Sequence, residues 1–199
     1  MLKIGVLALQ GNVVEHSNAL AKASRETGIN IEIRQVRKKE ELEGLDGIIL
    51  PGGESTTLSL LLEKGGMIEK LKEVRAVFGT CAGLILMAKN ANGKVEGQKG
   101  INVMDIEVER NAYGSQLDSF ESELNCELLN DEKIMFIRAP KIKKIGKNVK
   151  IIAKLAKSGG AVIVEERNGG KFYLGAACHP ELSTSRVHEY FLKKIMTGI

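Results

Sequence analysis

A chain of 199 residues, 43% of them hydrophobic, is long enough to bury a sizeable core as a single domain without covalent staples. A net charge of +4 could hint at nucleic acid, but the 29 basic and 25 acidic side chains are mixed along the sequence, which argues against such a binding surface. Three irregularly spaced cysteines, Cys81, Cys126 and Cys178, suggest neither a disulfide framework nor a zinc site, and no run approaches membrane-spanning length.

The first segment, Leu2 to Leu9, is a continuous aliphatic run, the pattern of a parallel strand buried on both faces. It lacks the cleavage site of a secretory leader, and a soluble cytoplasmic protein is expected. A helical pattern follows from about Asn12 to Glu26, then a strand at Ile29 to Val36 and a short helical turn at Lys38 to Leu42. Gly47 to Leu50 is a third strand, stopped by Pro51-Gly52-Gly53-Glu54-Ser55. Helical segments at Thr57 to Leu62 and Met67 to Glu73 are separated by Gly65-Gly66, and Val74 to Phe78 is a fourth strand. The next apolar run, through Lys89, favours helix.

The second half changes character. Ile101 to Glu109, Phe120 to Leu128, Ile134 to Ile137, Val149 to Ala156, Ala161 to Arg167 and Lys171 to Cys178 all favour strand. Between them Lys141 to Lys150, KIKKIGKNVK, is locally basic and reads as a solvated rim or a weak partner surface. Ser185 to Met196 closes the chain as an amphipathic helix. These elements predict an α/β fold: a mostly parallel central sheet flanked by helices, with antiparallel additions in the second half. No repeat or linker divides it, so residues 1–199 are read as one domain.

In an open parallel sheet, ligands bind at the carboxyl ends of the strands. One such end carries Gly79-Thr80-Cys81-Ala82-Gly83, the cysteine version of the nucleophile elbow, where small residues permit a sharp strand-to-helix turn. A helix N-terminus would favour the Cys81 thiolate, whereas the bland alternative is a buried small hydrophobe. A thiolate needs a base that later acts as an acid, and there are three histidines. His16 and His188 fall within predicted helices, where a solvent-facing or packing role is expected. His179 instead follows a strand and opens His179-Pro180-Glu181. In extended geometry before a proline, positions i and i+2 share a side, so Glu181 can orient the His179 ring; alternatively, Glu181 caps the following helix or is merely exposed. Gly52-Gly53 and the N–H of Ala82 are candidate donors to a developing oxyanion.

These pieces in this order resemble the class I, triad-type glutamine amidotransferases. Within that group, longer strings resemble the glutaminase subunits of pyridoxal 5′-phosphate synthase: LQG at Leu9–Gly11 with Glu15-His16, PGGESTT at Pro51–Thr57, GTCAGLI, ERNAYG from Glu109, DSFE from Asp118 and FIRAP from Phe136. The resemblance implies a flavodoxin-like fold and hydrolysis of L-glutamine to glutamate and ammonia, with no cofactor and no metal. It makes Cys81 the nucleophile, His179 the acid/base and Glu181 the orienting carboxylate, with Gly53 and Ala82 as the oxyanion hole. Glutamine would be held by Gly53, Glu54, Ser55, Arg110, Ile137 and Arg138, with Gln10 nearby. Glu54 and the two arginines complement the ammonium and carboxylate of a free amino acid.

The implied partner is a (β/α)8-barrel synthase subunit that receives the ammonia in a large hetero-oligomer, with up to one glutaminase per synthase subunit. The free glutaminase is expected to be weakly active until the partner orders the oxyanion loop. One departure stands out: after Tyr113-Gly114 the family commonly carries an arginine where this chain has Ser115, which puts a nearby contact in doubt. Two rival readings are a glutaminase serving another acceptor, such as imidazole glycerol phosphate synthesis, and a non-catalytic redox or regulatory protein. The second would need a thiolate but no oriented acid/base.

Overall fold

A computed structural model describes residues 1–93, 95–110, 112, 119–126, 128, 129 and 132–198. In the first half strands and helices alternate: β1 (Leu2–Leu7), α1 (Val13–Thr27), β2 (Ile31–Val36), a 3-10 turn (Lys39–Leu42), β3 (Gly47–Leu50), α2 (Ser55–Lys64), α3 (Ile68–Glu73) and β4 (Ala76–Thr80). Then come α4 (Ala82–Met87), β5 (Ala88–Asn92), β6 (Met104–Glu109), β7 (Ser119–Asn125), β8 (Lys133–Ile137) and β9 (Lys141–Ile145). The chain ends with β10 (Val149–Leu155), β11 (Ala161–Asn168), β12 (Lys171–Ala176), a 3-10 turn (Pro180–Leu182) and α5 (Arg186–Met196).

The main sheet has the order β2-β1-β3-β4-β12-β11-β10-β7-β8. The pairs from β2 across to β12 are parallel, and those from β12 to β8 are antiparallel. The parallel part is the expected flavodoxin-like order with β12 as its fifth strand. β3 and β4 are buried along their whole length, as a sheet covered on both faces requires. On one face Leu20 and Ala23 of α1 and Val187, Phe191 and Leu192 of α5 pack against Ile4, Val6, Phe78 and Phe172. On the other, Leu58 and Leu62 of α2 and Leu84 to Met87 of α4 pack against Leu7, Leu50 and Val77.

Two features depart from the sequence pattern. The apolar run after Cys81 is helical only to Met87, because the carbonyl of Leu86 accepts from Ile101 N (2.9 Å) and Asn102 N (3.1 Å) and the chain turns into β5. The basic stretch at Lys141 is a strand, β9, in a small second sheet ordered β5-β6-β9. Its Ile142 is buried, while Lys143 and Lys144 pair with Glu109 (3.1 Å) and Glu107 (2.8 Å) of β6. Acids on one strand thus answer bases on the next, and the stretch is a strand whose lysines stay on the solvated side.

Candidate active site

The carboxyl ends of β1, β3, β4 and β12 meet along one edge and deliver Asn12, Gly53 to Ser55, Cys81 and His179 to a common cleft. Cys81 sits in the elbow at φ 46°, ψ −101°, a conformation uncommon for a side-chain-bearing residue. Surrounding backbone holds it there. Cys81 N donates to Ala176 O at 2.9 Å, and Ile85 N donates to Cys81 O at 3.2 Å. The flanking glycines make the turn possible: a Cβ on Gly79 would lie 2.6 Å from the carbonyl carbon of Gly83, and one on Gly83 would run into the Leu50 backbone. The thiol lies 3.8 Å from the carbonyl oxygen of Ile137.

His179 is anchored by its own backbone, whose N–H donates to Met135 O of β8 at 2.9 Å. The three residues after it form a 3-10 turn rather than an extended strand, and that turn folds Glu181 back so that its Oε1 lies 2.8 Å from His179 Nδ1. Glu181 is therefore paired with the histidine ring and does not cap α5. Burial alone would lower the His179 pKa. Hydrogen bonds to Cys81 and Glu181, and their charges, outweigh it and raise the value to about 10. For Glu181, burial opposes ionisation, but the His179 hydrogen bond and the nearby histidines hold it at about 2. The pair is thus an imidazolium held against a carboxylate. Asn12 Nδ2 donates to the same Oε1 at 2.9 Å and lies 3.3 Å from His179 Nδ1; with that ring nitrogen protonated, its hydrogen bond goes to Glu181. A side chain at Gly52 would strike the His179 ring, with Nδ1 at 3.0 Å and Cys81 Cβ at 3.3 Å.

Cys81 and His179 open into a cleft of about 230 Å³. Every residue expected to hold glutamine lines it: Gly53, Glu54, Ser55, Arg110, Ile137 and Arg138. Asn12 and Ile85 line it too, and sequence reasoning did not single them out. Asn12 follows β1 at the sheet edge, which was the available signal; Ile85 is one more apolar residue of a helix and carried none.

Glu54 accepts from Thr56 N (3.0 Å) and Thr57 N (2.6 Å), capping α2. These bonds outweigh the effect of burial and hold it ionised at about 2. Arg110 reaches Glu54 Oε1 at 3.3 Å and is braced by Gln98 Oε1 at 3.0 Å and Gly93 O at 3.0 Å. Arg138 adopts φ 46°, a left-handed kink after β8. Gln10 is not in the cleft wall. Its Nε2 donates to Glu54 O at 3.0 Å and packs over Gly53, whose φ of 150° and lack of a Cβ the contact requires. Ala82, the other oxyanion-hole candidate, directly follows Cys81 as the first residue of α4.

His16 and His188 are neither solvent-facing nor simple packing residues: both are fully buried, with His16 Nδ1 2.9 Å from His188 Nε2, directly behind Glu181. Cys178 points away from the cleft into the core beside Phe78 and Phe191, where burial pushes its thiol well up. Ser115, and Asn111, Tyr113, Gly114 and Asp118 of the family-like strings, lie outside the described residues. Among the described residues no cluster of His, Cys, Asp and Glu is arranged to hold a metal ion.

The profile of the SNO glutamine amidotransferase family matches residues 6–197. Among curated proteins, the chain is 47% identical to pyridoxal 5′-phosphate synthase subunit PdxT of Oenococcus oeni, over 96% of each chain. It is 46% identical to the protein of that name in Corynebacterium jeikeium, again over 96% of each, and 45% identical to that of Thermococcus onnurineus, over 98% of this chain and all of the relative. A solved structure described as a crystal structure of glutamine amidotransferase superposes with a TM-score of 0.80 at 42% identity, covering 96% of this chain and 97% of the other. The chain belongs to the SNO glutamine amidotransferase family.

Proposed function

We propose that this chain is the glutaminase subunit of a pyridoxal 5′-phosphate synthase and that Cys81, His179 and Glu181 carry its chemistry. The observation that supports the triad most directly is the 2.8 Å contact of His179 Nδ1 with Glu181, with His179 and Cys81 both lining one cleft of about 230 Å³. Family membership supplies the amidotransferase class, and the name shared by the relatives supplies the acceptor, which separates this reading from a glutaminase for another pathway.

The Cys81 thiolate attacks the side-chain carboxamide carbon of glutamine. A carbon–sulfur bond forms, and the carbonyl electrons move onto oxygen, where the backbone N–H groups of Gly53 and Ala82 receive them. His179 gives its proton to the amide nitrogen, the carbon–nitrogen bond breaks, and ammonia leaves. Neutral His179 then takes a proton from water as it attacks the thioester. Collapse of the second oxyanion expels the thiolate, releases glutamate and restores the starting ion pair. Throughout, Glu181 keeps Nδ1 protonated and the opposite nitrogen aimed at sulfur.

In the cleft, Arg110 and Arg138 face the substrate carboxylate and ionised Glu54 balances its ammonium. Ammonia is useful only if it reaches the acceptor before bulk water protonates it, so the protein is read as working docked on a synthase subunit, in the cytoplasm, within a hetero-oligomer. Ammonia release from glutamine by wild type and Cys81→Ala, each with and without the synthase subunit, tests the reading. Activity that depends on Cys81 and rises with the partner is expected. Activity surviving Cys81→Ala overturns the triad, and equal rates with and without the partner overturn the coupling.

A further inference from the structure

Behind the triad, on the side away from the cleft, α1, β4 and α5 bring three polar side chains together in an apolar setting. His16, Thr80 and His188 are all completely buried. The edge of the Phe78 ring system packs against both histidines, with centroids 6.1 Å from His16 and 5.4 Å from His188. His16 Nδ1 lies 2.9 Å from His188 Nε2, and His16 Nε2 lies 3.1 Å from Thr80 Oγ1 and 3.6 Å from Glu181 Oε1. His188 Nδ1 is buried without a hydrogen-bond partner.

These contacts select one arrangement of protons. Burial keeps both rings neutral at neutral pH, drawing His16 down to about 4 and His188 to about 3. Each ring then carries one N–H, and the 2.9 Å contact needs one donor and one acceptor. If His16 Nδ1 held the proton, its Nε2 lone pair would face the Glu181 carboxylate, and His188 would be left with a buried N–H lacking an acceptor. In the opposite arrangement His188 Nε2–H donates to His16 Nδ1, His16 Nε2–H donates to Thr80 Oγ1, and the positive end of that N–H lies toward Glu181 Oε1. On the two rings the orphan is then a bare lone pair, on His188 Nδ1. An unsatisfied donor and a lone pair against a carboxylate both cost more than that, so the second arrangement wins.

We propose that His16 is a positioning residue of the triad: with its tautomer set by His188, it presents Nε2–H to Thr80 and Glu181 and so holds the face of the carboxylate that orients His179. The distance of 3.6 Å makes the Glu181 contact one of charge and dipole, added to the hydrogen bonds that Oε1 receives from His179 and Asn12. His16 touches neither substrate nor thiol and acts only through Glu181. This inference rests on the triad reading above.

The test exploits side-chain geometry. The amide nitrogen of glutamine can take the place of histidine Nε2, whereas asparagine reaches only the Nδ1 position. In the complex with the synthase subunit, His16→Gln is expected to keep kcat near wild type. His16→Asn is expected to lose about tenfold or more in kcat with KM unchanged. The pH dependence of Cys81 alkylation by iodoacetamide is expected to shift for His16→Asn alone. Cys81→Ala runs alongside: its survival overturns the triad itself, whereas loss there with both His16 variants at wild-type rate and pH profile overturns only the role of His16. Equal losses in both variants that track their melting temperatures also overturn it. Should either variant fail to fold, nitrogen-15 spectra of the imidazoles in wild type decide the matter. Nε2-protonated His16 and His188 are expected, and a Nδ1-protonated His16 refutes the proposal.

Discussion

Replacement of Gly79 by alanine puts the elbow itself to the test. Gly79 is the penultimate residue of β4 and Gly83 lies in the first turn of α4, so the two backbones bracket Cys81. An added methyl would sit 2.6 Å from the carbonyl carbon of Gly83, 2.8 Å from its oxygen and 2.6 Å from Met87 Sδ. Ordinary contact begins near 3.4 Å, so the carbonyl carbon must retreat by about 0.8 Å, the difference between 3.4 and 2.6 Å. Met87 can swing aside, but Gly83 is main chain pinned against Leu50 and can retreat only if α4 moves. Overpacking of this kind costs about 1–3 kcal/mol. For a chain of this size that lowers the melting temperature by roughly 2–4 °C per kcal/mol. The larger effect falls on chemistry, because a shift near 1 Å at the nucleophile can cost about a hundredfold in rate. Gly28→Ala serves as control: at φ 69° with no atom within 4 Å, it carries about 1–2 kcal/mol of backbone strain and no effect on the cleft. The assay is ammonia release in the presence of the synthase subunit, beside a thermal melt. Activity of Gly79→Ala within twofold of wild type would refute the reasoning.

Other outcomes follow from the same geometry. Gln98→Ala removes the brace on Arg110 at 3.0 Å together with longer contacts to Ser55 Oγ and Val95 N, so KM for glutamine should rise about fivefold at nearly constant kcat; a fall in kcat with KM unchanged would count against it. Melting temperature should peak near pH 6.5. Below that value the unfolded chain protonates His16 and His188 while the native state resists until about 4 and 3, and Glu181 adds a loss of the same sign between 4.5 and 2. Above it, the stabilisation from His179 disappears as pH climbs toward 10. A flat profile from pH 6.5 to 4 would show that the buried pair is not neutral. Tyr190→Phe removes the hydrogen bond to Glu165 at 2.7 Å, which should destabilise the fold by about 1.5–3 kcal/mol without touching glutaminase kcat; an unchanged melting temperature would refute it.

The alternating first half was legible because β3 is wholly apolar, β1 and β4 nearly so, β2 carries Ile31, Ile33 and Val36, and the runs stop at glycine or a polar turn, as at Leu50-Pro51-Gly52. The fate of the run after Cys81 was not, because its helix ends through two hydrogen bonds from Ile101 and Asn102, distant residues whose effect no local pattern carries. KIKKI hid its strand for a similar reason: its lysines make sense only beside the acids of MDIEVE. Within the site, spacing brought out Cys81, His179 and Glu181. The path by which Glu181 returns, a 3-10 turn braced by the His179–Met135 bridge, depends on β8 and was beyond local reasoning. His16 and His188 were misread because a histidine on a helix shows its role only when its neighbours across the sheet are known; helix periodicity cannot separate packing from a polar network.

β4 and β12 are adjacent parallel strands, with Gly175 opposite Gly79 and Ala176 opposite Thr80. Cys81 and His179 emerge just past those registered ends, so the interval between nucleophile and base is set by a main-chain ladder with a spacing of about 4.8 Å. That ruler is main chain of β4 and β12, and from the intervening chain only β8 adds to it, through the Met135 carbonyl that accepts from His179 N. Everything from β5 to β11, including the small second sheet, departs from one rung and returns to the next. Insertions or deletions in the loops of that excursion, outside β8, can therefore be accommodated while the distance that makes the chemistry possible stays fixed.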